Sequence, residues 1–294
     1  MSLAASIRFA QVRFRETIMK CPSVYAVVPL VVLLSVVVGC DESGPTTKGT
    51  VPESRLEGSP RHHEWVQVKS ATGRTVRAYV AFPEIDKPVP AVVVIHENRG
   101  LNDWARSVTD QVAEAGYVAI APDLLSGSGP DGGGTDSHPS SDAAREAIYK
   151  LPPQQVLDDL DAVVIHARGL AATNDRVAVA EFCWGGGQTF QYARHRADIA
   201  AAFVFYGRAP ETDTMKGIEV PVYGFYGGND HRITGAVPDV QKTMQTFGKT
   251  YEPVVYEGAG HGFMRSGEGP DAEPANMDAR SQAWQRWKGL LGEL

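Results

Sequence analysis

Short apolar runs alternate with helix-like segments along most of this sequence. The runs at 91–96 and 118–121 suit strands buried on both faces, and the segment 103–115 between them has helical spacing and ends at Gly116. The same pattern predicts a hairpin over 64–69 and 75–82, strands at 176–182, 200–206, 220–226 and 253–257, and helices at 156–171, 184–195 and 275–291. This alternation predicts an α/β fold, with a mostly parallel central sheet flanked by helices on both faces.

An uncharged apolar stretch lies at 26–38 and runs into V-V-G-C, which ends at Cys40. The stretch is shorter than the about 20 residues of a membrane span and contains a proline, which favours a signal peptide. Its end resembles the lipobox of bacterial lipoproteins, so we expect a signal peptide over 1–39, with Met19 as an alternative start, and lipidation of Cys40. The chain would then be exported and anchored on the periplasmic or cell-surface side of a bacterial membrane. An uncleaved anchor helix or a plain signal peptide is the alternative.

Two further segments lack the pattern of a packed element. Residues 41–61 are polar and rich in Gly, Pro and Ser, which predicts a flexible tether between Cys40 and one domain over 62–294. The glycine-rich segment 124–141 is predicted to form a mobile rim beside the functional site, with a linker-like insertion as the alternative.

The net charge restricts the classes of binding partner, and the positions of the cysteines leave one candidate thiol. The chain has 35 acidic and 28 basic residues, a formal net charge of −7, and loss of the signal peptide makes it more acidic. Such a charge argues against nucleic acid as a partner. The histidines show no metal-ligand spacing, and we expect no metal and no cofactor. Of the three cysteines, Cys21 falls in the signal peptide and Cys40 would carry lipid, so Cys183 remains as a lone thiol.

Three reactive side chains fall at the ends of predicted strands, and they are Cys183, Asp230 and His261. Ligands of a parallel α/β sheet meet the carboxyl ends of its strands. A thiol needs a base to become a thiolate, and the base needs an orienting acid, so the order nucleophile, acid, histidine fits an α/β-hydrolase with its nucleophile in a tight strand-to-helix turn. A buried structural cysteine is the alternative, because free cysteines are among the most often buried residues.

The stretch F-C-W-G-G-G at 182–187 has the composition that such a turn requires. Small residues after the nucleophile let the strand and the helix approach each other. The backbone N–H of Trp184 is predicted to face a developing oxyanion, and a second N–H is expected from the loop after the 91–96 strand, at Asn98.

From about residue 64 to the C-terminus the chain resembles the dienelactone hydrolase family of α/β hydrolases. The resemblance rests on F-C-W-G-G-G at 182–187, G-G-N-D at 227–230, G-H-G-F at 260–263, V-V-I-H-E-N-R-G-L-N at 93–102 and A-P-D-L at 121–124. It implies an α/β-hydrolase fold and hydrolysis of a small carboxylic ester or lactone, as in carboxymethylenebutenolidase. It also implies a thioester acyl-enzyme, with Cys183 as nucleophile, His261 as base and Asp230 as the acid.

The resemblance implies roles for four further residues. Glu97 matches the glutamate that contacts the resting thiol and helps to generate the thiolate. Arg145 and Arg265 match arginines that hold the substrate carboxylate, a task that suits the planar guanidinium fork. Tyr149, one turn after Arg145, is predicted to face the same side of that helix. Solvated surface charge is the alternative for both arginines.

Three departures from the family limit what the resemblance implies. Glu181 stands two residues before the cysteine, where the family usually has glycine, and the loop after the 91–96 strand differs at His96 and at 98–99. The lipoprotein signal is unlike the cytosolic enzymes of the family. These departures favour a hydrolase related to dienelactone hydrolase over dienelactone hydrolase itself. The alternative function is a non-catalytic lipoprotein that keeps the fold as a binding module.

Overall fold

The strands of the chain form one sheet in the computed structural model, which describes residues 51–294. In that part of the chain the sheet has eight strands in the order β1-β2-β4-β3-β5-β6-β7-β8. Their bounds are β1 (His63–Lys69), β2 (Thr75–Ala81), β3 (Val89–Ile95), β4 (Val118–Pro122), β5 (Thr173–Phe182), β6 (Ala202–Phe205), β7 (Val222–Gly227) and β8 (Tyr251–Tyr256). β1 pairs with β2 and β2 with β4 in antiparallel register, and all other pairs are parallel. The predicted α/β fold and its mostly parallel sheet are confirmed.

Helices cover both faces of this sheet. Their bounds are α1 (Val51–Glu57), α2 (Asp103–Glu114), α3 (Ser141–Ile148), α4 (Pro153–Arg168), α5 (Gly185–His195), α6 (His231–Thr234), α7 (Val237–Thr246), α8 (Phe263–Ser266) and α9 (Pro274–Leu291). One hydrophobic cluster joins β3 to α4, α5 and α7, and the other joins β3 to α2 and α9. Alternate residues of β3, such as Val92 and Val93, enter opposite clusters, as the pleat of a strand requires. Within the described residues, no helix combines the length and the hydropathy needed to cross a membrane.

Residues 51–61 differ from the predicted flexible tether. They contain α1, and the segment after it is fixed to α2 by the buried carboxylate of Asp110. Arg61 donates two hydrogen bonds to this carboxylate, at 2.7 and 2.8 Å, and Ser59 Oγ donates a third at 2.7 Å. The ordered domain therefore includes residue 51 and does not begin at 62. The predicted signal peptide, the lipidation site Cys40 and the tether residues 41–50 lie outside the described residues.

The segment 124–141 is anchored to the domain, in contrast to the predicted mobile rim. The carboxylate of Asp123 accepts hydrogen bonds from the backbone N–H of Thr135 at 2.8 Å and from its hydroxyl at 2.7 Å. The Thr135 hydroxyl oxygen also accepts the backbone N–H of Leu101 at 2.9 Å. Leu125 is buried and packs in one cluster with Trp184, which places this segment beside the turn that follows β5.

Candidate active site

Cys183 occupies a strained turn between β5 and α5. Its φ of 63° lies in the left-handed region, which non-glycine residues rarely adopt. The turn is held by the Cys183 N–H, which donates to the Phe205 carbonyl at 3.0 Å, and by the Gly186 N–H, which donates to the Cys183 carbonyl at 3.1 Å. A Cβ at Gly186 would lie 1.8 Å from the Cα of Gly207, so this position admits only glycine. The geometry is that of the strand-to-helix elbow expected from the sequence.

The structure brings Cys183, His261 and Asp230 together in one hydrogen-bonded chain. Asp230 follows β7 and His261 follows β8, so both lie at the carboxyl edge of the sheet with Cys183. The Nδ1 of His261 lies 2.5 Å from Asp230 Oδ2, and its Nε2 lies 3.2 Å from Cys183 Sγ. A carboxylate only accepts, so Nδ1 carries the ring proton and Nε2 can accept the thiol proton. This arrangement can deprotonate a thiol and return the proton to a leaving group.

The thiol of Cys183 is protonated at rest. Burial, followed by the negative charge of Glu97, raises the pKa of Cys183 to about 11. The backbone N–H groups of Trp184 and Asn98 face the sulfur and act in the opposite direction, because they stabilise negative charge. These two N–H groups are the pair expected at an oxyanion site, and the fold places both beside one sulfur atom.

Glu97 is nearly inaccessible to solvent, at 4% exposure, and has two partners. Arg265 Nε donates to one oxygen at 2.9 Å, and the Tyr206 hydroxyl donates to the other at 3.3 Å. No hydrogen bond joins Glu97 to Cys183 in the described part of the chain, and the negative charge of Glu97 acts on the resting thiol. Burial, with the charge of Glu97, raises the pKa of Tyr206 well above its usual range and keeps the phenol protonated as a donor.

The two arginines expected to bind a substrate carboxylate are both neutralised by the protein itself. Arg265 forms an ion pair with Glu97, and the charge of Glu97 raises the pKa of Arg265 although burial acts in the opposite direction. Arg145 pairs with Asp142 at 3.6 Å within α3 and does not line the cavity that contains Cys183. Tyr149 does line this cavity, and its hydroxyl accepts a hydrogen bond from the Asn98 side chain at 3.2 Å. Of these two residues, Tyr149 lies at the cavity that contains Cys183 and Arg145 does not.

A cavity of about 440 Å³ opens at Cys183 and His261. Its wall includes Tyr206, Arg208 and Arg232, which no motif in the sequence indicated as site residues. All three follow the carboxyl end of a parallel strand, Tyr206 and Arg208 after β6 and Arg232 after β7. That position is the signal that could have identified them, because ligands bind at this edge of the sheet.

The surroundings of Glu181 show how the elbow accommodates this side chain. The side chain is fully buried and lies against the start of α5, where a Cβ on Gly185 would be 2.6 Å from Oε2 and one on Gly186 would be 2.7 Å from Oε1. Neither carboxyl oxygen has a hydrogen-bond partner in the described part of the chain. Burial raises the pKa of Glu181 well above its usual value, and the backbone N–H of Thr189, which faces the carboxyl without hydrogen-bond geometry, offsets this only in part. The turn accommodates Glu181 as a neutral acid, in the space that the glycines leave.

His96 connects the loop after β3 to the segment 124–141. Its Nδ1–H donates to the Glu97 carbonyl at 2.8 Å, and its Nε2 accepts the Leu124 N–H at 3.4 Å. The ring stacks against Trp184 with an interplanar angle of 12°. Burial lowers the pKa of His96, so the ring is neutral and supports Trp184 and the backbone that leads to Asn98.

Comparison with known proteins gives four concordant matches. The sequence profile of the dienelactone hydrolase family matches residues 76–294. A carboxymethylenebutenolidase of Pseudomonas putida is 30% identical over 213 residues, covering 69% of this chain and 86% of that protein. A protein of Methylorubrum extorquens, provisionally named as a carboxymethylenebutenolidase, is 34% identical over 230 residues, covering 73% of this chain and 78% of that protein. The crystal structure of a provisionally assigned dienelactone hydrolase from Klebsiella pneumoniae superposes with a TM-score of 0.69 at 28% identity, covering 80% of this chain and 100% of that one.

Proposed function

The chain belongs to the dienelactone hydrolase family and is an ester or lactone hydrolase, and from this premise we propose that Cys183, His261 and Asp230 perform its reaction through a thioester intermediate. The observation that carries the proposal is the continuous chain from Cys183 Sγ to His261 Nε2, at 3.2 Å, and from His261 Nδ1 to Asp230 Oδ2, at 2.5 Å. Each partner in this chain has a donor or acceptor that matches its neighbour.

In the first half-reaction, Sγ of Cys183 attacks the acyl carbonyl while its proton moves to His261 Nε2. The new C–S bond converts the carbonyl oxygen into an oxyanion, which the N–H groups of Trp184 and Asn98 stabilise. Asp230 stabilises the imidazolium that forms. The C–O bond of the ester then breaks, and His261 protonates the departing alkoxide. A stabilised enolate leaves without this proton, and His261 then releases the proton to solvent before the second half-reaction.

In the second half-reaction, a water molecule gives a proton to His261 and attacks the thioester. The C–S bond breaks, the carboxylic acid product leaves, and the proton returns to Cys183. The raised pKa of Cys183, about 11, means that little thiolate exists before the substrate binds. Deprotonation of Cys183 is therefore coupled to its attack on the substrate. The negative charge of Glu97 is one reason that the thiolate is disfavoured in the empty site.

The test is hydrolysis of short activated esters and of dienelactone by wild type and by Cys183→Ala. We expect kcat to fall by several orders of magnitude, roughly 10³-fold or more, because removal of a nucleophile abolishes the covalent route. Mass spectrometry of the wild type after rapid acid quenching should detect the acyl group on Cys183. Circular dichroism of both proteins controls for folding.

A non-catalytic binding module gives a different result in the same experiment. Equal activity in wild type and Cys183→Ala, or a wild type that hydrolyses neither the activated esters nor dienelactone, would contradict the proposal. An acyl group detected by mass spectrometry is simple to assign because Cys183 is the one free cysteine among residues 51–294.

We further propose that the chain is exported and anchored to a bacterial membrane by lipid on Cys40. The sequence V-V-G-C after the apolar stretch 26–38 supports this proposal. Metabolic labelling with a palmitate analogue should mark the wild type and not Cys40→Ser. Equal labelling of the two proteins would exclude this site.

A further inference from the structure

Helix α9 holds the loop of His261 at two points, one on each side of the histidine. Asn276 and Arg280 lie one turn apart in α9 and therefore face the same side of this helix. The Oδ1 of Asn276 accepts the backbone N–H of Gly260 at 2.9 Å. The Nε of Arg280 donates to the carbonyl of Met264 at 3.0 Å. His261 stands between these two anchored residues, so the position of its ring follows the position of α9.

Two glycines give this loop conformational freedom. Gly258 and Gly262 have φ of 73° and 74°, in a region that glycine enters at little cost. The Nδ2 of Asn229 donates to the Gly258 carbonyl at 2.9 Å and fixes the start of the loop. The hydrogen bond between His261 Nδ1 and Asp230 fixes one end of the ring only. The segment just before His261 therefore needs an anchor of its own, which α9 supplies.

The same helix also contacts the residues that support the nucleophile. Trp287 of α9 is fully buried, and its ring centroid lies 6.1 Å from that of Phe182 and 5.0 Å from that of Phe205. Phe182 precedes Cys183, and the carbonyl of Phe205 accepts the Cys183 N–H at 3.0 Å. One helix thus contacts both the turn of the nucleophile and the loop of the base. The 3.2 Å between His261 Nε2 and Cys183 Sγ depends on where this helix lies.

We propose that Asn276 and Arg280 are positioning residues for His261, and that α9 thereby sets the distance over which the proton moves between Cys183 and His261. This inference rests on the proposed function of Cys183 and His261. Asn276 and Arg280 lie outside the wall of the cavity at Cys183, so both act through the loop and not on the substrate. Proton transfer needs a short and aligned contact, and a displacement of about 1 Å costs on the order of 10²-fold in rate.

Two substitutions of Asn276 test this role. Asn276→Ala removes the acceptor of the Gly260 N–H, whereas Asn276→Asp retains an acceptor oxygen at the same place. We expect Asn276→Ala to lower kcat for 4-nitrophenyl acetate by about 10-fold or more and to leave KM within about two-fold of wild type, because His261 acts in both half-reactions and the substrate contacts are unchanged. Asn276→Asp should recover most of the lost kcat. An unchanged kcat in Asn276→Ala would overturn the proposal.

A second arginine of α9 provides a matched control for Arg280. Arg286 donates to the carbonyls of Gly224 and Glu252 at 2.9 and 2.7 Å, and these residues belong to β7 and β8 and not to the loop of His261. Arg280→Met and Arg286→Met each remove hydrogen bonds from α9 to main-chain carbonyls, so both should lower the free energy of unfolding. Only Arg280→Met should also lower kcat at a temperature where both variants are folded. Equal loss of kcat in the two variants would mean that α9 acts through stability alone and would overturn the proposal.

A measurement without substrate separates failure of the positioning role from failure of the proposed catalytic role. The NMR shifts of the two ring nitrogens of His261, read through the carbon-bound ring protons, report the tautomer and the hydrogen bond at each nitrogen. Their absence in His261→Gln assigns them. Shifts that change in Asn276→Ala and return in Asn276→Asp support the positioning role even if the wild type hydrolyses no ester. Identical shifts in wild type and Asn276→Ala would overturn it even if Cys183 proves to be the nucleophile.

Discussion

Asp110 and Glu181 are both fully buried acids, and the protein holds them in opposite ways. Asp110 accepts hydrogen bonds from Ser59, from Arg61 and from the Nε2 of His63, all between 2.7 and 2.8 Å. Glu181 has no hydrogen-bond partner in the described part of the chain. Burial alone would raise the pKa of Asp110, but its hydrogen bonds outweigh burial and lower it, whereas burial raises the pKa of Glu181.

The difference shows that partners, and not burial alone, decide the charge of an acid inside this protein. A buried carboxylate needs donors to remain ionised, and without them it takes up a proton instead. Asp110 is therefore an anion that attaches the N-terminal segment to α2. Glu181 is a neutral group that fills the space behind the nucleophile. Each role predicts a different response to substitution.

The largest effect is expected from Asp110→Ala. The substitution leaves Arg61, with 9% of its side chain exposed, without its carboxylate partner. Loss of one member of a buried pair costs about 3–5 kcal/mol in the free energy of unfolding. Urea denaturation at pH 7 measures the loss. As a control, Asp239→Ala at an exposed position of α7 should change stability by less than about 0.5 kcal/mol. A loss below about 1 kcal/mol in Asp110→Ala would mean that the pair does not hold the segment.

An intermediate effect is expected where the glycines of α5 make room for Glu181. A Cβ in Gly185→Ala would meet Glu181 Oε2 at 2.6 Å and Ile95 Cγ2 at 3.1 Å, and overpacking of this kind costs about 1–3 kcal/mol. Gly187→Ala is the matched control, because nothing lies within 4 Å of a Cβ there and alanine favours the helix by up to about 1 kcal/mol. Denaturant unfolding of both variants checks the difference.

Removal of the Glu181 side chain sharpens this test. Glu181→Gly should relieve part of the loss in Gly185→Ala, because the contact at 2.6 Å disappears while the contact with Ile95 remains. Losses that simply add in the double variant would show that Glu181 does not occupy the space in question.

The sequence predicted the region around Glu181 better than the region around Asp110. The elbow, Asp230 and His261 follow from local patterns, since a strand, a turn and a helix each leave a signal within a few residues. The ordered structure of residues 51–61 depends on Asp110, which lies 49 residues after Arg61 in the sequence. A polar, proline-containing segment shows no sign of such a distant partner. Asp110 itself was the available signal, because an acid on the apolar face of α2 requires donors from elsewhere.

Distant partners also explain why the roles of the arginines at the site were not predictable from the sequence. Sequence alone indicates which arginines exist but not which acids reach them, and the Arg265–Glu97 pair spans 168 residues. Arg145 matches an arginine of the family pattern, yet it pairs with Asp142, one turn away on the same helix. The partners of a long, flexible side chain are set by the packing of distant elements, which no local pattern encodes.

The smallest effect, on the order of 1 kcal/mol near pH 4, where Glu181 is protonated in the native protein, is expected for Glu181→Gln. An acid with a raised pKa in the native state binds more protons there than in the unfolded chain, at pH values between about 4.3 and the raised value. Wild type therefore loses stability as the pH rises through this window, whereas glutamine has no proton to release. The difference in the free energy of unfolding should move in favour of Glu181→Gln between pH 4 and pH 8, as measured by urea denaturation.

The stability difference between wild type and Asp110→Asn should change with pH in the opposite direction. The pKa of Asp110 is lowered in the native state, so its contribution is complete above the unfolded value of about 3.9 and is lost as the pH falls through the native value. The deficit of Asp110→Asn relative to wild type should thus be constant near neutral pH and shrink in acid. Two variants that remove buried acids then separate in opposite directions on one pH scale. If the stability differences of both variants changed with pH in the same direction, Glu181 would be ionised, with a partner such as a bound cation balancing its charge.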